Sequence, residues 1–136
     1  MSHLPIIPVT VLVLGNDSLL DECVSSMLIP NSQLNVIRIQ YTDEKTLDYL
    51  VNLEDPSMVF INEFDALNVE RIIRLIFSAR SAFVRCVIVA HSEHCMLDLY
   101  YRPTTHVPVT LYRKKSILVN TKEELINLTL EVASYA

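Results

Sequence analysis

Glycine is almost missing from this chain: Gly15 is the single one among 136 residues. Phosphate-cradling loops and dinucleotide fingerprints need several residues without Cβ, so that backbone can approach pyrophosphate, and one glycine builds neither. Cysteines number three, Cys23, Cys86 and Cys95, an odd set in a chain that is 51% hydrophobic and can bury a core of its own. A disulfide framework is unnecessary, and a reducing, cytoplasmic setting is the expectation. Positive charge is sparse, with 11 Lys and Arg against 16 Asp and Glu for a net charge of −5. Phosphate backbones reward concentrated basic surface, so nucleic acid is not an expected partner. No apolar run approaches the ~18 residues that a spanning helix requires, so no membrane is expected either. The stretch from Leu4 to Leu14 has no basic residue ahead of it and is broken by Pro5 and Pro8, which makes it a lead into a strand rather than a signal segment.

What is present is a regular alternation of short apolar runs with amphipathic stretches, filling residues 1–136 as one domain. Val9 to Leu14 is β-branched and apolar on both parities, as in a strand buried on both faces of a parallel sheet. Leu19, Leu20, Cys23, Val24, Met27 and Leu28 then form a helical stripe, with Ser18 and Asp21 as a capping pair and Pro30 as the stop. Leu34 to Tyr41 predicts a second strand, and Thr42 the cap of a helix carrying Leu47, Leu50, Val51 and Leu53. Met58 to Ile61 is a third strand, followed by a helix with Val69, Ile72, Ile73, Ile76 and Phe77 on one side. Val84 to Ala90 is a fourth. Glu93 to Tyr101 has a weaker helical stripe ending at Pro103, and Val107 to Tyr112 predicts a fifth strand, at an edge because Pro108 cannot donate to a ladder. Thr121 and Glu124 form a capping box for a last helix through Leu125, Leu128, Val132 and Ala133.

Five strands alternating with five helices predict an α/β fold: a flavodoxin-like five-stranded parallel sheet of order 2-1-3-4-5, with helices on both faces. In such a sheet the ligand crevice lies at the carboxyl ends of the strands, beside the point where strand order reverses. The residues falling there are Gly15, Asn16, Asp17, Asn62, Glu63, His91, Ser92, Lys114 and Lys115.

In element order and at several of these positions the chain resembles the receiver domain of two-component response regulators. Receivers carry two adjacent acids after the first strand, a phosphoacceptor aspartate ending the third, Thr or Ser ending the fourth, and an aromatic three residues before a lysine ending the fifth. Here those places look like Gly15 with Asn16, Asn62, His91 or Ser92, and Tyr112 with Lys115, and Ser116 stands where receivers usually have proline. Phosphoryl transfer to a side chain needs a nucleophilic carboxylate and further carboxylates to hold a metal, and none stands at these positions. Asp17 falls one or two places late, and Glu63 should leave the opposite face of its strand from Asn62. The resemblance therefore implies a degenerate pseudo-receiver, whose site comprises Gly15, Asn16, Asp17, Asn62, Glu63, Ser92 and Lys115.

Three other constellations stand out in the sequence. Gly15-Asn16-Asp17-Ser18-Leu19 is similar to the nucleophile stretch of SGNH-type hydrolases, but Asn16 interrupts it and no D-x-x-H pattern follows His106, so Ser18 reads as a helix cap. His91, His94 and Cys95 have short metal-ligand spacing with Asp98 in range, yet a polar loop at a sheet edge accounts for them, and no metal or other cofactor is expected. Arg113, Lys114 and Lys115 are the one basic cluster, with Tyr112 beside it and Tyr100 and Tyr101 nearby. In receivers the face made by the fourth helix, fifth strand and fifth helix often docks partners, and Tyr with Arg suits an interface.

The expectation is accordingly a non-enzymatic signalling or scaffolding module. It would contact a protein partner, or a second copy of itself, through Tyr100, Tyr101, Tyr112 and Arg113, with no output domain after its last helix. The alternative is a small-ligand binder or enzyme using Asn16, Asp17, Asn62, Glu63 and Lys115 as polar crevice groups.

Overall fold

The computed structural model describes residues 8–16, 19–81, 83–91, 96–102, 113–119 and 121–134. Strands β1 (Val9–Gly15), β2 (Leu34–Gln40), β3 (Met58–Asn62) and β4 (Cys86–Ala90) are parallel, and β5 (Met96–Tyr101) and β6 (Arg113–Leu118) extend the sheet antiparallel. The order across the six strands is β2-β1-β3-β4-β5-β6. Four helices accompany them among the described residues: α1 (Leu19–Leu28), α2 (Glu44–Glu54), α3 (Val69–Phe77) and α4 (Lys122–Ser134).

The central strands are apolar on both parities because both their faces are covered. Val11, Val13, Met58, Phe60, Cys86 and Ile88 pack with Val24 and Leu28 of α1 and with Leu125 and Val132 of α4. Their neighbours Leu12, Leu14, Val59, Ile61, Val87 and Val89 pack with Leu47 and Val51 of α2 and with Ile72, Ile73, Ile76 and Phe77 of α3. β2, at one edge, is less covered: Leu34 is buried, Val36, Ile37 and Ile39 are half-buried, and Asn35, Arg38 and Gln40 are exposed. Burial of whole Leu, Ile, Val and Phe side chains, each worth about 1.5–3 kcal/mol, makes these two layers the main source of stability.

Local signals set the boundaries. Asp43, not Thr42, caps α2, its carboxylate accepting from the Thr46 amide at 2.7 Å. At the other end Asp55 takes a left-handed conformation, φ 47°, which returns its N–H to Val51 and lets Pro56 turn the chain out. Asn68 caps α3 through the Arg71 amide, and Thr121 caps α4 through the Glu124 amide, as its spacing predicts.

One predicted element changes type. Of the residues expected to make a fourth helix, Glu93 to Tyr101, those from Met96 on form β5 instead, and 93–95 lie outside the described residues. Leu97, Leu99 and Tyr101 are spaced i, i+2, i+4, and the i+4 spacing that suggests a helix is equally a strand period. Paired with the wholly buried β4, the segment turns Leu97, Leu99 and Tyr101 toward α1 and α4, and Asp98 and Tyr100 toward the other face. The predicted fifth strand, Val107 to Tyr112, lies outside the described residues. The basic run after it begins β6, whose Ile117, with Val119 just beyond the strand, packs onto the α1–α4 layer. Among the described residues the sheet is thus six-stranded and mixed, rather than five-stranded and parallel.

Candidate functional site

At the carboxyl ends of the four parallel strands the register pairs Gln40 with Gly15, the next residue after the Leu14–Ile61 pair, and aligns Asn62, the residue after Ile61, with Ala90, Leu97 and Ile117 in the same row. Gly15 and Asn62 reach this row facing α1, and there they meet a residue that sequence reasoning placed elsewhere. The Asp21 side chain, expected to pair with Ser18 at the helix start, is 1% exposed and accepts a 2.7 Å hydrogen bond from the Asn62 amide nitrogen. A Cβ at Gly15 would stand 1.9 Å from Asp21 Oδ1. Gly15 has no positive φ, so room for this carboxylate is what requires glycine here. Asn62 is itself 2% exposed, and its Oδ1 has no hydrogen-bond partner among the described residues.

A second polar group forms on the opposite face. The Glu63 side chain departs from the side away from Asn62, as strand alternation requires, and places Oε1 3.1 Å from His91 Nδ1. On the other side of the ring, Nε2 is 2.6 Å from Asp98 Oδ2, and Ser116 Oγ donates to Asp98 Oδ1 at 2.6 Å. The chain Glu63–His91–Asp98–Ser116 therefore joins the end of β3, the end of β4 and the antiparallel extension. Carboxylates only accept, so both contacts are hydrogen bonds only while the ring carries both protons and hence a positive charge. Burial opposes that charge, but hydrogen bonds from the ring to Asp98 and Glu63, with their negative charge, outweigh it and raise the His91 pKa above the ordinary histidine value.

The rim of the row is aromatic on the β2 side. Tyr41, whose amide donates to Gly15 O at 2.7 Å, packs its ring against Phe64 of the β3–α3 loop with centroids 6.2 Å apart. Beyond the amino end of β4, Arg102 closes the sheet: Nε donates to Val84 O at 2.7 Å and Nη2 to Phe77 O at 3.1 Å, with the guanidinium 4.2 Å over the Phe83 ring.

Of the residues singled out from sequence, Gly15, Asn16, Asn62, Glu63 and His91 lie along the row, and Asn16 is exposed. Asp17, Ser18, Ser92, His94, Cys95, His106 and Tyr112 lie outside the described residues. Lys115 is not at the row: it pairs with Leu99 in the middle of β6 and is exposed. Tyr100 and Tyr101 are consecutive in β5 and so part to opposite faces, Tyr101 packing on the α1–α4 layer and Tyr100 on the α2–α3 layer. Arg113 opens β6 opposite Tyr101.

Asp21, Asp98 and Ser116 are the site residues that sequence reasoning missed as such. Asp98 had a signal, a lone acid inside an apolar alternation, where a charge needs a partner. Among the described residues there is no cluster of three or more His, Cys, Asp or Glu able to hold a metal ion, and no helix long and apolar enough to cross a membrane.

Neither the protein-family models nor the curated proteins compared with this chain match it.

Proposed function

We propose that this chain is a receiver-like module that works by protein contact rather than by accepting a phosphoryl group. The observation that carries this reading is the Asp21–Asn62 hydrogen bond. At the end of β3, where a receiver would present a carboxylate nucleophile, a neutral amide donates to a buried carboxylate from α1. An amide nitrogen engaged in this way is no nucleophile, and the neighbouring carboxylate is turned inward to hold the fold. The parallel order of β2, β1, β3 and β4 supports the receiver-like part of the proposal, and β5–β6 is where the chain departs from it. That extension carries the contact surface we propose, with the exposed Lys115 and Leu118 on its outer strand.

Incubation with acetyl phosphate and Mg²⁺ tests the first half: the intact mass stays unchanged, and a labile added phosphoryl group overturns the reading. Sedimentation velocity over a concentration series, or against a candidate partner, tests the second. Lys115→Glu weakens association while leaving the melting temperature in place; unchanged association in the folded variant moves the surface elsewhere.

One observation favours a second reading, a small-ligand binder. Asn62 Oδ1 is a buried acceptor without a partner among the described residues, and a ligand donor would satisfy it. A ligand that binds the folded state raises the melting temperature by mass action, so a thermal-shift screen of small hydrogen-bond donors separates the two readings.

A further inference from the structure

We propose that His91 is a proton-operated latch: doubly protonated, it bridges Asp98 of β5 and Glu63 of the loop after β3, and on losing one proton it keeps Asp98 and releases Glu63.

The geometry decides which contact yields. A neutral imidazole has one N–H, so one of its two carboxylate neighbours must then face a lone pair. The Asp98 contact is the shorter at 2.6 Å, on a side chain only 11% exposed, and Ser116 Oγ fixes the other oxygen of the same carboxylate at 2.6 Å. The Glu63 contact is longer, 3.1 Å, and its side chain is 38% exposed, so water can take over its hydrogen bonds. The remaining proton therefore stays on Nε2, and Nδ1 becomes the lone pair that repels Glu63.

Glu63 begins the six-residue connection from β3 to α3, residues 63–68. That loop is held by the Glu63 amide on Ala90 O, by the Leu67 amide on Phe64 O and by Phe64 against Tyr41. Losing the His91 tie frees the end of the loop next to Asn62 and leaves its aromatic anchor in place. Among the described residues, the charged groups that face the ring are Glu63 from this loop and Asp98 from β5, and β6 contributes the neutral Ser116 behind Asp98. For the sign, protonated His91 is favoured in the folded state. Its stabilisation is fully present below the unfolded histidine value of about 6.5 and disappears as pH rises through the higher folded value. The latch is closed in acid and opens toward alkaline pH. This inference stands independently of whether the module binds a protein or a ligand.

Imidazole ¹⁵N shifts of the full chain, with His91 assigned by the signals missing in His91→Gln, give its protonation state from pH 5 to 9. Amide protection factors at Glu63 and Leu67, corrected for intrinsic exchange, report the loop. We expect both His91 nitrogens to be protonated at pH 5, Nδ1 to lose its proton at a higher pH than an ordinary histidine does, and loop protection to fall several-fold over the same interval. In Glu63→Gln, whose side-chain amide can accept from Nδ1–H or donate to a bare Nδ1, His91 still titrates but loop protection no longer follows it. Deprotonation at Nε2 first, loop protection that ignores the His91 titration in the unmodified chain, or an unchanged pH response in Glu63→Gln would each overturn the latch. If His91→Gln does not fold, the pH response of loop protection in the unmodified chain against its loss in Glu63→Gln still decides the matter.

Discussion

Asp21 Oδ1 and Asn62 Nδ2 lie 2.7 Å apart beneath a glycine, and this contact ties the first turn of α1 to the end of β3 across 41 residues of sequence. It accounts for two features together: the position of the only glycine, and the burial of an acid on the α1 face that also buries Val24, Ser25 and Leu28.

Gly15→Ala should destabilise the protein through collision alone, since a Cβ would stand 1.9 Å from Asp21 Oδ1 and no unusual backbone angle is involved. Overpacking of this kind costs about 1–3 kcal/mol. In the background of Asp21→Ala the same change should cost little. Urea unfolding of the two single variants and the double variant measures the coupling, and additive effects would show that the carboxylate does not occupy this space.

Asn62→Asp places a second carboxylate against Asp21 in a buried site. Two such groups cannot both ionise without penalty, so one pKa rises in the folded state. Stability should then match the parent protein most closely in acid and fall as pH rises above about 4, the unfolded carboxylate value, until the raised value is passed. Melting temperatures from pH 4 to 8 give the profile, and a flat difference from the parent would show that the two side chains are not in contact. This variant should also fail to take up phosphate from acetyl phosphate, because the buried Asp21 turns inward rather than toward a metal.

Arg102→Ala removes donors from two main-chain carbonyls, Val84 O and Phe77 O, and a cation from the Phe83 ring. Hydrogen bonds from a charged group contribute about 1.5–3 kcal/mol, so the melting temperature should drop by several degrees. Arg102→Lys should recover only part of the loss, since an ammonium cannot reproduce the planar fork. Full recovery by lysine would reduce the contact to simple charge.

The two described cysteines should differ in reactivity. Burial pushes the Cys86 thiol up to about 12, whereas Cys23 is exposed on α1. Iodoacetamide at neutral pH followed by peptide mapping should label Cys23 in the native protein and Cys86 only after unfolding. Native labelling of Cys86 at a comparable rate would mean that β4 opens readily.

The sequence by itself determined the parallel half of the molecule. Val9 to Leu14, Met58 to Ile61 and the later part of Val84 to Ala90 are apolar on both parities, which suits burial on two faces, and the helices between them carry single stripes, so strand type and helix positions follow from local pattern, while the β2-β1-β3-β4 order was expected only by analogy with other alternating folds. It also indicated that Asn62 and Glu63 would part to opposite faces, because alternation along a strand is local geometry. Only the tertiary structure decided the rest. Whether Leu97, Leu99 and Tyr101 form a helix or a strand depends on whether β4 offers them a free edge, and that edge is created by residues distant in sequence. The pairing of Asp21 with Asn62, and of His91 with Glu63 and Asp98, is likewise set by which strand ends the register brings level. Charge and hydrogen-bonding capacity are properties of single residues, but their partners are fixed only when the sheet assembles.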